Sequence, residues 1–348
     1  MGYILVADVF TRLLTLIPRF HRMCYSHNEN ILRAVGKSNT HHDALDHADL
    51  ASTRLPTHIV PLKYALSLLC QLETWSFQAY VSIHLEVKEE TKFINFHSLE
   101  LAYRSFALYP GHIQSNIRTQ SAAYLRPQPA ADIVSHTLFE ENQRCLLELK
   151  NTVQPGAYTL EMQFTGEIND HMAGLYRSVY VDENGKELRQ AVTQFEATDA
   201  RRCLPCWDEP ACKAKFECTI VCSRELSVLS NMPTASTVDV RKGAEGWFGL
   251  PTSTQPIEAA SPDAATPIND AIKFQEPTPY AENLVAHFFD ESPLMSTYLL
   301  AFAIGYFEHI EKTNKHGVLM RVFTPPGKTE QGKKAEKALF TLVANCSL

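Results

Sequence analysis

Between Tyr80 and Val87, the apolar residues Val81, Ile83, Leu85 and Val87 alternate with Ser82, His84 and Glu86. A period of two sends each set to its own side of an extended chain, so the run predicts a half-buried antiparallel strand with one core face and one wet face. Tyr158, Leu160, Met162 and Phe164 alternate with Thr159, Glu161 and Gln163 in the same manner, just after the turn signal Pro155-Gly156. Phe216, Cys218, Ile220 and Cys222 repeat the pattern against Glu217 and Thr219, which makes these cysteines small apolar residues on an inner strand face. Tyr298 to Ile304 is almost wholly apolar and predicts a strand covered on both sides. The expectation is a mainly β chain.

A hairpin is expected over Leu175 to Glu196, because Asp182-Glu183-Asn184-Gly185 offers residues tolerant of positive φ between two strand-like arms. Its second arm leads into Thr193 to Phe216, TQFEATDARRCLPCWDEPACKAKF, the densest chemistry in the sequence. Asp199, Arg201, Arg202, Asp208 and Glu209 surround Pro205 and Pro210, and ion pairing that locks a proline-rich corner accounts for them without catalysis. Cys203-Leu204-Pro205-Cys206 has the spacing of a redox or zinc pair. No second such pair follows, so a structural role is favoured. His97 and Glu100 lie three apart in a strand-rich region, a spacing that does not suit a ligand pair.

Composition narrows the class. A net charge of −7 leaves no nucleic-acid footprint, and no apolar run of ~20 residues spans a membrane. The nine cysteines are odd in number and scattered, which favours a reducing, cytoplasmic setting over a disulfide framework. Met1 to Phe20 lacks the basic start and uninterrupted apolar core of a secretory signal, and Asn345-Cys346-Ser347 reads as a chance glycosylation match. Residues 1–51 read as a poorly ordered extension, whose His41, His42 and His47 suit a solvated tail better than a metal site. Residues 243–280, rich in Ala, Pro, Ser and Thr, read as a disordered insertion. Lys333 to Leu342 has helical spacing with an uncovered apolar side.

Arg54-Leu55-Pro56 with Pro61, Tyr64, Leu66 and Leu68, then Gly174-Leu175-Tyr176-Arg177-Ser178, the central run, Ser230-Asn231-Met232-Pro233 and Met295 to Phe302 follow one another in a telling order. In that order they resemble the first domain of zinc aminopeptidases of the aminopeptidase N and puromycin-sensitive type, over roughly Arg54 to Phe323. Departures are apolar: Leu204 and Trp207 flank Pro205-Cys206 where Phe is usual, Cys212 replaces a larger residue, and Ala79 stands where Gly is common. The resemblance implies a saddle-like antiparallel β-sandwich over residues 52–312, with helical or irregular terminal extensions and the start of a truncated catalytic domain over 313–348.

It also implies roles. An enzyme that trims peptide amino termini grips an α-ammonium of pKa about 8, which a carboxylate does best. By resemblance Glu196 takes that role, and Gln194 borders the pocket for the first side chain. The family's zinc requires His-Glu-x-x-His, two ligands and a general base on one helix face, and this spacing occurs nowhere in the 348 residues. The chain is therefore expected to contribute no catalytic residue and no metal ligand, to bind no cofactor itself, and to be inactive without the missing catalytic domain. Its partners would be peptide amino termini and that domain, with no nucleic acid and no membrane span. The competing reading is a free-standing β-rich module that binds peptides or proteins without catalysis; an active peptidase with an unrecognised catalytic set is disfavoured.

Overall fold

The structure, a computed structural model, describes residues 3–6, 54–113, 127–182, 184–240, 283–313, 317, 319–330 and 332–333. The expected extension over 1–51 (but for residues 3–6), the insertion over 243–280, the histidines at 41, 42 and 47 and the helix after Lys333 lie outside these residues.

The chain is mainly β. In order, the strands are β1 Tyr3–Val6, β2 Ile59–Gln71, β3 Ser76–Val87, β4 Thr91–His97, β5 Leu101–Pro110, β6 Ile133–Phe139, β7 Arg144–Val153, β8 Gly156–Glu167 and β9 Gly174–Val181. They continue as β10 Glu187–Gln194, β11 Lys213–Ser223, β12 Ser227–Ser230, β13 Thr234–Val240, β14 Leu284–Phe289, β15 Met295–Ser296, β16 Phe302–Gly305, β17 Glu308–Thr313 and β18 Leu319–Thr324. The largest sheet has the order β13-β14-β11-β2-β3-β8-β5, with β15 paired to the start of β11; the others are β4-β7-β6, β12-β16-β10-β9 and β1-β18-β17. Most pairs are antiparallel, but β11 runs parallel to β2. A purely antiparallel expectation misses that pair because it joins strands far apart in sequence, which no hairpin signal marks.

Leu55–Ser178 and Arg189–Ile304 form one compact unit, and the remaining described residues form another. In the smaller unit β17 pairs antiparallel with β18, and β1 joins β18 in parallel. Asp182 caps the expected tight turn there, its carboxylate accepting the Asn184 and Lys186 amides at 2.9 and 2.8 Å, while Gly185 takes φ +81°. The hairpin of β9 and β10 is thus present.

The larger unit carries the core. Leu66, Val81, Met162 and Phe106 stand in register across β2, β3, β8 and β5, so the alternating residues converge on one face. Tyr64 stacks on Phe216 at 4.9 Å across the parallel pair, and Phe77 meets Phe164 edge-on at 6.4 Å. The expected wet face is a correction: Ser82, Thr159 and Glu161 are all buried. A second cluster on that face, including Ala65, Leu69, Tyr80, Val221, Ala286 and Phe288, gives the sheet apolar cover on both sides. The apolar run from Tyr298 also departs from expectation. A 3-10 turn over Thr297–Leu299 interrupts it, leaving Leu299 exposed, and only Phe302–Gly305 form a strand with both faces buried.

Candidate functional site

β10 delivers the candidate residues. It pairs with β16 through Ala191 opposite Ile304 and Val192 opposite Ala303, and the Phe302 amide donates to the Thr193 hydroxyl at 3.0 Å. Phe195 is buried edge-on against Phe302 at 6.3 Å, which anchors the strand's exit. The strand ends at Gln194. A turn over Glu196–Asp199 follows, closed by the Asp199 amide on the Phe195 carbonyl at 2.9 Å, and leads into a 3-10 turn at Ala200–Arg202. The Glu196–Ala197 peptide is cis.

The two candidates are therefore neighbours but not strand-mates. Gln194 is half-buried at the strand's last position, and its amide donates to the backbone carbonyl of Glu196 at 3.3 Å. Glu196 sits exposed in the turn beyond. The arm expected to run to Glu196 stops at Gln194, and the period-two rule ends where the ladder ends.

Behind that turn the charged corner is paired, as its sequence suggested. Arg201 is buried, with Nε 3.0 Å from Asp208 Oδ2 and Nη1 donating to Gln143 Oε1 at 3.1 Å. Burial pushes the Asp208 carboxyl above its usual range, with Arg201 opposing the shift. Arg202 donates to Asp199 Oδ1 at 2.9 Å and pairs on its other side with Glu100. Glu209 accepts the Leu55 amide at 2.7 Å. His97 and Glu100 thus serve different ends: His97 is buried and its Nδ1 accepts the Asp208 amide at 3.1 Å, while Glu100 faces solvent beside Arg202.

Cys203 and Cys206 are buried free thiols, and burial pushes both well above the ordinary thiol range. A thiol that resists ionisation is a poor nucleophile and a poor metal ligand. Among the described residues no group of three or more His, Cys, Asp and Glu is placed to hold a metal. With His97 and Asp208 committed to hydrogen bonds in the corner, this donor set does not fit the zinc that the resemblance implies.

What sequence reasoning missed is the buttress. Asn231 clamps the chain about seventy residues downstream, its Nδ2 donating to the Leu299 carbonyl at 2.9 Å and its Oδ1 accepting the Ala301 amide at 2.8 Å. Ser296 and Thr297 donate to the carbonyls of Pro210 and Trp207 at 2.8 and 3.2 Å. Of the motifs that marked a resemblance, Ser296 and Thr297 thus hold the corner's backbone, and Asn231 holds the segment just after them. Their side chains, short and hydrogen-bonding beside turns, were the available signal.

Together, sheet and corner define a mainly β domain that fixes one proline-rich turn by a buried ion pair and presents an acid beside it. Residues 60–249 match the Peptidase M1 N-terminal domain. The chain belongs to that family. It is 32% identical over 284 residues to aminopeptidase M1 of Arabidopsis thaliana, covering 81% of this chain and 26% of that protein. It is 33% identical to the puromycin-sensitive aminopeptidase of Caenorhabditis elegans and 30% identical to human aminopeptidase N, each over 80% of this chain. The chain spans about a quarter of the length of these curated relatives, 24% and 25% for the last two. Among the described residues no helix is long and apolar enough to cross a membrane.

Proposed function

We propose that this chain is the amino-terminal, substrate-gripping part of a zinc aminopeptidase, with Glu196 pairing to the peptide's α-ammonium and Gln194 bordering the first side chain. The observation that carries the reading is an exposed carboxylate on a turn whose backbone is tied by the Gln194 amide at 3.3 Å. Such a tie limits where the acid can reach, which suits a group that sets substrate register. An ion pair fully in water contributes at most about 1 kcal/mol, so Glu196 grips well only where a facing surface excludes water. Zinc and the general base belong, on this reading, to family sequence outside these residues, and the chain alone binds weakly and hydrolyses nothing. Cytoplasmic residence is part of the same proposal.

The test is NMR titration of the full chain with a peptide and its amino-acetylated twin at millimolar concentration. Glu196→Ala should weaken the free-amine peptide by up to about fivefold, the equivalent of one exposed pair, and leave the acetylated one unchanged. Equal responses would sink the amine-anchor role, and chelator-sensitive turnover by the chain alone would sink its inactivity.

A further inference from the structure

Sheet edges in soluble proteins are usually blunted by charge, because a bare edge templates pairing with another chain. Most edges here follow that rule. Among the described residues, β4 carries Lys92, β5 Arg104, β9 Arg177, β13 Asp239 and β17 Glu308, Glu311 and Lys312, while β1 and β12 are only four residues long. β6 is the exception. It ends the β4-β7-β6 sheet with the uncharged run Ile-Val-Ser-His-Thr-Leu-Phe, and residues 134–138 are all exposed, Val134 at 51% and Leu138 at 44%.

We propose that β6 is a self-association edge, at which two copies of this chain pair β6 to β6 in antiparallel fashion about a two-fold axis. The order of its side chains points to a second copy. Read backwards against itself about His136, the strand sets Ile133 opposite Phe139, Val134 opposite Leu138 and Ser135 opposite Thr137. Apolar residues then meet apolar ones and hydroxyl meets hydroxyl, pairings that favour adjacent strands, and no charge is left facing another. A bulge between Ile133 and Ser135 breaks the regular ladder on β7 at that end, so the contact centres on Ser135 to Thr137 about the axis at His136. With one such edge among the described residues, the pairing about a two-fold axis closes at two copies. Seven residues a side make a small contact against the ~1,200–2,000 Å² of a stable interface, so the dimer is weak and concentration-dependent.

Sedimentation equilibrium of the full chain should show monomer and dimer exchanging at about micromolar concentrations or above. Ser135→Lys with Thr137→Lys, two exposed positions, copies the natural blunting device and should weaken association at least about tenfold with an unchanged melting curve. Separately, His136→Cys, on the axis, or the double change Ser135→Cys with Thr137→Cys, which face each other across it, should crosslink one copy to another on mild oxidation under conditions that leave the parent chain uncrosslinked. A chain monomeric at all concentrations, a dimer indifferent to the lysines, or a lack of crosslinking in both cysteine variants would overturn the proposal. So would a monomer whose β6 amides are protected only by an added extended peptide, which would mark a peptide-accepting edge instead.

Discussion

Gln194 holds Glu196 through the backbone: its side-chain amide reaches the Glu196 carbonyl at 3.3 Å, while the Glu196 carboxylate remains in solvent. The contact spans the point where β10 stops and the turn begins, so it governs the turn's shape without touching the acid that faces outward.

Replacing Gln194 with Leu keeps the bulk but removes that donor, and it should loosen the turn more than it destabilises the fold. We expect a loss of about 0.5–1.5 kcal/mol in denaturant unfolding, the usual net worth of one hydrogen bond. Amide exchange at residues 196–199 should rise more than exchange in β10. Uniform protection across both would mean that Phe195, buried against Phe302, fixes the turn by itself.

The buried pair Arg201 and Asp208 makes a larger stake. Their side chains are 8% and 2% exposed, so removing one partner leaves a charge without compensation in a dry site. Asp208→Asn should cost about 3–5 kcal/mol. The double change Arg201→Met with Asp208→Leu should cost clearly less than the two single changes summed, as expected of residues in direct contact. Urea unfolding of the four proteins gives the cycle, and additive losses would show that the corner is held chiefly by the clamps from Ser296 and Thr297.

Much of this was legible in the sequence, though unevenly. Period-two runs located β3, β8 and β11, and the acid-and-glycine turn located the β9–β10 hairpin, because both signals are local. The crowded charges of Asp199 to Glu209 could be read as structural because proline fixes a corner that needs holding. The second core face escaped, since Tyr80 and Phe288 meet only after β14 and β11 are laid beside β2, a relationship no window of sequence contains. The position of Glu196 past the strand's end escaped for a related reason: where a ladder stops depends on the partner strand, here β16.

His84 and His112 make a reciprocal clasp whose strength should depend on pH. Their rings stack at 4.8 Å, and each Nε2 donates to the carbonyl beside the other residue, His84 to Ile113 at 2.8 Å and His112 to Leu85 at 3.2 Å. Burial holds the His84 pKa below the usual imidazole value of 6.5; His112 and Lys63 add to the shift, and the Ile113 carbonyl and Glu291 oppose it. The folded state therefore prefers neutral His84, while the unfolded chain takes up a proton near pH 6.5. This contribution is full above pH ~6.5 and fades as pH falls through that value towards the lower folded one. The melting temperature should drop between pH 7.5 and 5.5, and His84→Phe should flatten that drop. Parallel profiles for both proteins would assign the pH dependence to other groups.

Gly174 and Gly185 offer a controlled comparison of conformation with space. Both have positive φ, +69° and +81°, which disfavours any residue with a Cβ. At Gly185 nothing lies within 4 Å of an added Cβ, so Gly185→Ala should cost only the conformational term, about 1 kcal/mol. At Gly174 the added atom would meet Arg202 Cβ at 2.6 Å and the Asp199 carbonyl at 3.3 Å, neither of which is the free end of a flexible chain. Gly174→Ala must therefore push on the residues that close the Glu196 turn, and should cost about 2–4 kcal/mol, the conformational term plus the penalty for overpacking. Denaturant unfolding separates the two variants. Equal losses would show that Arg202 and its partners Asp199 and Glu100 yield freely, and that the turn is less tightly seated on β9 than the distance implies.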